Sequence, residues 1–403
     1  MNCRLCDTQE TQLLLDLGQQ PISHHYLKDP DDPEATYPFV LIFCAHCGLV
    51  QLQHPISEKL LYQNYTYLTS HKPQPHIQTL LHWLQKHAAL TLDTTLIEVG
   101  SNDGIFLNAL KQAGFTHLLG IEPAQDACQT ANRKGLKTLH QYFNQTTARQ
   151  LITEYGAFEV FIARQMLEHI GDLSGFGKAM QSVLRPGSYV LIEVPDFSFA
   201  LDYVDYSALW EAHVNHFTLT TLTRYLGAHQ IQVQHHFVVN FSGQALVVLA
   251  QYQPDMALPQ VPITPAYQAR VAHYRAQFSV FKHALTRYLH QLAMKHLSIA
   301  IYGAGNRTIL LLNFFGLRAF YCVYDDDPHK IGLYLPGSRL PIYAGHTLDK
   351  QHCDLCLLAV NAENEDRMIS QHREFLQQGG EFLSLHPPSE RLLPFWKTLA
   401  HAV

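Results

Sequence analysis

Downstream of Thr95, short apolar runs alternate with longer amphipathic stretches, which is how a chain of strands feeding helices reads. Thr95–Val99, Leu118–Glu122, Phe158–Ala163 and Ser188–Val194 predict short buried strands, the last introduced by the turn Arg185-Pro-Gly187. Phe106–Gly114 has helical spacing ended by a glycine, and a helix near Pro75–Leu90 leads into the first strand. Strands alternating with helices predict an α/β fold, a mainly parallel sheet covered on both faces. The same pattern opens again at Ser298–Gly305 and continues through Ala319–Tyr324 and Leu355–Val360. Between the two units, the proline-rich Pro254–Pro265 reads as a hinge and Tyr267–His296 as one long connecting helix. Ahead of them, Pro21, Pro30, Pro33 and Pro38 break any long helix. The pattern divides the chain into residues 1–65, 66–255 and 256–403.

Composition narrows the class. A chain of 403 residues is too long for one ordinary core, so two large domains and a small appendage are expected. A net charge of -6 with no basic stripe argues against a nucleic-acid partner. No apolar run is long enough to span a bilayer, and the start Met-Asn-Cys-Arg carries no export-type apolar region, so the expectation is a cytoplasmic protein with no membrane partner. In that compartment the eight cysteines suggest metal binding and buried thiols in place of disulfides. With 26 histidines present, any one of them carries little weight by itself.

Two motifs carry chemistry. Cys3-Arg-Leu-Cys6 and Cys44-Ala-His-Cys47 supply four thiolates at zinc-ribbon spacing, and a closed four-sulfur set is structural because no coordination position is left for water. Cys353-Asp-Leu-Cys356 repeats the spacing inside an apolar strand with no second pair and reads as core. The second motif runs from Glu98, ending the first strand, through Gly100-Ser-Asn-Asp-Gly104. Gly100 and Gly104 let backbone approach a ligand, while Asn102 and Asp103 are placed to cap the following helix or to touch that ligand. Glu122 closes the second strand, where an acidic side chain can accept both ribose hydroxyls. The pyrophosphate cradle of dinucleotide folds is absent, and this looser turn is that of S-adenosylmethionine binders. Ala163-Arg164-Gln-Met-Leu-Glu-His169 and Leu184-Arg-Pro-Gly187 complete the set.

These residues resemble bacterial C-methyltransferases that act on nucleotide-linked keto-sugars. The likeness covers nearly the whole chain: the four cysteines with Asp16-Leu-Gly18 and Pro21, Tyr65-Thr-Tyr67, Glu98–Gly104, Ala163–His169, Glu193-Val-Pro-Asp196, Tyr302-Gly-Ala-Gly305, Tyr324–Pro328, Lys330-Ile-Gly332 and Leu335-Pro-Gly337. It implies a class I S-adenosylmethionine-methyltransferase Rossmann-like domain plus a second Rossmann-like α/β domain, with a small zinc-binding N-terminal domain. Arg164 joins the expected cofactor set. Tyr65 and Tyr67 are placed to stack on the cofactor, to reach the sugar, or to fill core. The C-terminal unit lacks the third glycine of a dinucleotide fingerprint, so the likeness assigns it to holding the nucleotide-sugar, with Arg307 or Lys330 offered to phosphate.

One segment departs from the family. Where the likeness calls for Tyr-His-Glu-His, this chain has Trp210-Glu211-Ala212-His213, followed by Val-Asn-His216. Methylation beside a ketone needs a base for the α-proton, and histidine titrates in the working range. His213 is therefore the expected base, with Glu211 or His216 orienting it or contacting sugar hydroxyls; His169 is left outside the proton-transfer set. The stretch Trp210–Phe217 otherwise reads as an aromatic helix start. The expected reaction is C-methylation of a nucleotide-linked keto-sugar by a monomer or weak homodimer. An O- or N-methyltransferase, or a non-catalytic sugar-nucleotide-binding module, are the alternatives.

Overall fold

In a computed structural model, residues 2–61, 68, 74–256, 261–295, 298–350 and 353–400 are described. Among them are three sheets. The first is small and antiparallel, built from β1 (Thr11–Pro21), β2 (Thr36–Cys44) and β3 (Val50–Leu52). Two breaks in the β1/β2 register, after Leu13 and after Asp16, spoil the simple alternation that would have marked β1 in the sequence. Pro38 is tolerated because β3 pairs with β2 only over Leu41–Phe43, leaving the proline's missing N–H without a ladder to serve.

The second sheet holds β4 (Leu96–Val99), β5 (Leu118–Ile121), β6 (Thr138–Leu139), β7 (Phe158–Arg164) and β8 (Leu184–Pro195). Downstream of these, β9 (Asn215–His216) leaves to join the first sheet, pairing Val50 with His216 and Gln51 with Asn215. The predicted helix start at Trp210 is thus corrected: its residues form a turn and this short strand, and the helix begins only at Leu219, capped by Thr218. Then β10 (Ile231–Val239) and β11 (Ala245–Tyr252) return to the second sheet, whose order is β10-β11-β8-β7-β4-β5-β6. Numbered within this sheet the order is 3-2-1-4-5-7-6, and β11 alone runs against its neighbours. That reversed strand separates the class I methyltransferase sheet from an ordinary dinucleotide fold.

The third sheet is wholly parallel: β12 (Ile299–Tyr302), β13 (Val323–Asp325), β14 (Ile342–Ala344), β15 (Leu355–Leu358) and β16 (Glu381–Ser384), ordered β14-β13-β12-β15-β16. This is the 3-2-1-4-5 order of a Rossmann-like half. Cys353 and Cys356 are core here, as expected.

The predicted long helix spans Pro265–Met294, started by Thr264 capping Tyr267 N–H at 3.1 Å and by Pro265 in the first turn. It bolts the parts together. Tyr267 donates to Gly48 O in the head (2.9 Å), Tyr274 to Asp205 O (3.2 Å), and Phe281 meets Trp396 edge to face at 4.6 Å. One apolar cluster runs from Leu41 and Phe39 of the head through Tyr206 to Leu310 and Trp396. No helix among the described residues is long and apolar enough to cross a membrane.

Candidate active site and zinc centre

The two cysteine pairs meet at the edge of the first sheet. Cys3 Sγ lies 3.4 Å from Cys47 Sγ, Cys6 Sγ lies 3.6 Å from Cys44 Sγ, and all four sulfurs fall within 4.8 Å of one another. A tetrahedral zinc with Zn–S near 2.3 Å would separate its sulfurs by about 3.8 Å, so the spacing fits. None of the four is in a disulfide. Their crowding also asks for a cation: the contact with Cys44 pushes the Cys3 thiol up, and the same contact pulls Cys44 down, so one sulfur ionises at another's expense. Cys47 N–H points at Cys44 Sγ (3.4 Å), as a metal-bound thiolate needs.

The cofactor loop stands at the carboxyl end of β4. Open α/β sheets take ligands where the strand order reverses, here between β4 and β7. Gly100 has φ +71°, and a Cβ on it would lie 2.8 Å from Met166 Cγ, so the loop after β4 and the loop after β7 touch at this point. Gly104, at φ +80°, starts the helix Ile105–Gln112; its missing Cβ makes room for Leu136, a protein neighbour. Asn102 is also left-handed (φ +49°), and its N–H donates to Glu122 Oε2 at 2.8 Å. Glu122 accepts from Ala124 N–H as well (2.7 Å), which leaves lone pairs on both oxygens for hydroxyl donors. The predicted ligand role of Asp103 meets a competing fact: its carboxylate is fully buried and pairs with Lys134 at 2.9 Å, pinning the loop to the chain beyond β5.

Beneath the loop is a buried charge cluster. Arg164 Nε bonds Glu193 Oε2 at 2.6 Å, and an Arg164 terminal nitrogen lies 3.9 Å from Glu98 Oε1. Glu193 also accepts from Gln165 (3.1 Å) and meets His76 Nε2 at 3.1 Å. Burial alone would raise Glu193, but Arg164 and these hydrogen bonds outweigh it and hold the carboxyl down at about 2. Burial wins at Glu98, pushing it up to about 8 despite Arg164. Among the described residues, Glu98 Oε2 is buried with no hydrogen-bond partner. Arg164 therefore positions Glu98 from behind. Replacing Arg164 with Met, which strands Glu193 and Glu98 without a cation, is expected to cost about 3–5 kcal/mol of stability. Urea unfolding read by tryptophan fluorescence would show it; an unchanged midpoint would refute the cluster's role.

The third group lies beside the crevice. His213, on the turn after Trp210, has its ring 4.9 Å from that of His169 and 4.7 Å from that of Trp210. Glu168, His169 and His213 each bring a side-chain oxygen or nitrogen within 4.8 Å of the others. His169 Nδ1 donates to Ala212 O (2.9 Å), which leaves Nε2 as the unprotonated nitrogen of the neutral ring. Burial, with His169 and His216 nearby, holds His213 well below the ordinary imidazole value.

The remaining predicted residues fall elsewhere. Glu211 does not orient His213; Ser23 N–H and Oγ–H both donate to its Oε1 at 2.8 Å, tying the turn to the head, while Oε2 is buried with no hydrogen bond among the described residues. Trp210 Nε1 donates to the same Ser23 hydroxyl (3.0 Å). His216, 6.5 Å from His213 ring to ring, is held in β9 against Phe197. Arg307 is committed to Asp205 (2.8 Å) and Ser207, and Lys330 to Asp325 (3.2 Å), so neither is the free phosphate ligand that was expected. Tyr65 and Tyr67 lie outside the described residues.

Residues 3–62 match the family described as "Putative zinc binding domain", residues 67–236 "Methyltransferase domain", and residues 266–387 "C-methyltransferase C-terminal domain". C-methyltransferase NovU of Streptomyces niveus is 27% identical over 423 aligned positions covering 98% of each chain. Three family models thus follow one another along the chain, from a zinc-binding head through a methyltransferase domain to a C-methyltransferase C-terminal domain. The chain is an S-adenosylmethionine-dependent methyltransferase with a structural zinc site at its four cysteines.

Ubiquinone biosynthesis O-methyltransferase of Bordetella avium matches this C-methyltransferase over 34% of its length, at 27% identity and 59% of the relative. Magnesium protoporphyrin IX methyltransferase of Synechocystis, solved with bound SAH, superposes at TM-score 0.36 with 12% identity, covering 48% of this chain and 92% of that one. The sequence did not reveal His169 and Glu168 as neighbours of the expected base, or Ser23 as the partner of Glu211 and Trp210. The first two stand in the Met166-Leu-Glu-His169 run after β7, so their position was visible; their convergence on His213 was not.

Proposed function

We propose that this C-methyltransferase acts on a carbon beside the ketone of a nucleotide-linked sugar, with His213 removing the α-proton. The observation that carries the reading is a neutral imidazole held beside the β4/β7 crevice, within 4.8 Å of a buried carboxyl. The C-methyltransferase character of the C-terminal domain and of the full-length relative favours carbon as acceptor; the O-methyltransferase likeness is confined to the middle of the chain.

When bound, S-adenosylmethionine supplies an electrophilic methyl group on a sulfonium. Glu122, with lone pairs to spare, is placed for its ribose hydroxyls, and Glu98 Oε2 for a cationic or N–H donor of the same ligand. The Gly100–Gly104 loop, braced by Glu122 and by Lys134 on Asp103, holds that ligand's orientation. His213 takes the α-proton, and the carbanion, delocalised as enolate, is left facing the methyl group. His169, fixed by Ala212 O, and Trp210 wall the ring of His213 so that it presents one edge.

Solvent exchange tests this. With S-adenosylhomocysteine in place and no methyl available, a nucleotide-linked keto-sugar incubated in heavy water is expected to gain deuterium at the α-carbon. Methylation of a hydroxyl or amine without such exchange would sink the carbon assignment.

A further inference from the structure

Glu168 is a buried acid whose carboxyl no side chain among the described residues hydrogen-bonds. It sits in the 3-10 turn Leu167–His169 directly after β7, two residues beyond the Met166 side chain that touches Gly100. It is 2% exposed, and neither carboxyl oxygen has a hydrogen bond among the described residues. The titratable groups facing it are His169 on its own turn, His213 on the following segment, Glu193 on β8 and His216 on β9. None of its ion-pair neighbours among the described residues is a lysine or arginine, since Arg164 is engaged by Glu193 and Glu98. A carboxyl so placed is held neutral: burial, reinforced by Glu193, pushes it up to about 8, although the backbone N–H groups of Glu168 and Met166 pull the other way. A cation arriving in the crevice reverses this, because an opposite charge within several ångströms favours the ionised form.

We propose that Glu168 is a charge switch operated by the methyl donor: protonated in the free enzyme, it gives its proton to solvent when the sulfonium cofactor binds, and as a carboxylate it then strengthens His213 as a base. This deepens the proposed reaction and rests on the donor occupying the β4/β7 crevice. It also answers a difficulty in that reaction, since His213 among neutral neighbours is a weak base.

The proton count closes. Binding of the sulfonium releases one proton from Glu168. His213 then takes the substrate's α-proton, and the imidazolium is paired with the carboxylate. Transfer of the methyl group to the enolate carbon breaks the sulfur–methyl bond, returns that electron pair to sulfur and leaves a neutral thioether. With the cation gone, Glu168 regains its affinity and takes the proton from His213. The single proton produced per turnover thus leaves at cofactor binding, before any bond to carbon forms.

Calorimetry on the zinc-loaded full chain at pH 7, in phosphate and in Tris, reads protons released on binding from the difference between buffers. S-adenosylmethionine is expected to release close to one proton per site more than S-adenosylhomocysteine, because any proton lost from Glu98 to the amino group that both ligands carry cancels in the difference. In Glu168→Gln, which keeps the shape of the side chain, that difference is expected to fall to near zero while S-adenosylhomocysteine binds as before. Equal release with both ligands, or a difference that persists in the variant, overturns the proposal. Should the variant fail to fold, the comparison of the two ligands on the native enzyme still decides. Failure of either ligand to bind would instead strike the donor site itself.

Discussion

Stripping the metal from the four cysteines, or replacing Cys44 with serine, is expected to cut turnover by about 100-fold or more, because a base displaced by an ångström loses that much. The zinc is remote from the chemistry by sequence, but β9 makes it a neighbour by structure. His216 and Asn215 hang on β3, whose edge follows Cys47 by a few residues. Arg4, inside the first knuckle, donates to Leu52 O (2.8 Å), and Leu52 N–H donates to Val214 O (3.0 Å). Ser23 holds Glu211 from the other side. Residues 211–216 are therefore strung between the head and the middle sheet, with His213 in the centre of the span. Structural zinc contributes roughly 10–16 kcal/mol of binding energy in small domains, so its loss should unravel the first sheet. One face of the second sheet shares its core with Cys3, Cys44 and Cys47, but the other face, built on Leu96, Val160 and Leu191, packs without any residue of the head, so this sheet should survive. The expected signature is one zinc per chain falling to none, turnover lost, and S-adenosylhomocysteine affinity changed by little. Zinc-free enzyme that still turns over at the native rate would show that the head does not position the base.

This coupling marks the boundary of what the chain reveals when read along its length. Motifs that act within a few residues were legible: the paired knuckles, the glycine turn between Val99 and Ile105, and the alternation of strands and helices that became one mainly parallel and one wholly parallel sheet. Each depends on local spacing and on backbone freedom at one or two positions. Partners chosen across the fold were not legible. Glu211 finds Ser23 188 positions away, Arg307 finds Asp205, and β9 abandons the segment before and after it to complete another sheet. The family likeness offered Arg307 to a phosphate; in the fold a buried aspartate holds it. His169 was set aside for the converse reason. Nothing in Leu-Glu-His says that Ala212 will bring its carbonyl within 2.9 Å and turn the ring towards His213.

His213→Ala is expected to lower kcat by about 10²–10⁴-fold, the range a positioned general base contributes. Three features of the site make this the right residue to remove. Glu211 gives one oxygen to Ser23, and His216 is held in a strand against Phe197 with its ring 6.5 Å from that of His213, so neither stands in the place of the His213 ring. His169 is close but anchored through Nδ1, which makes it a support and a weak substitute. The loop is braced by Glu122 and Lys134, not by His213, so affinity for S-adenosylmethionine should stay within a few-fold of native. The deuterium exchange at the sugar's α-carbon should disappear in parallel with turnover, because both need the same proton removed. His169→Ala should behave differently: the ring it steadies would be mobile, and exchange would slow without vanishing. If His213→Ala lost cofactor binding together with turnover, the ring would be a packing element of the turn. If it kept exchange at the native rate, the base would be another group, and Glu168 in its ionised form would be the first to test.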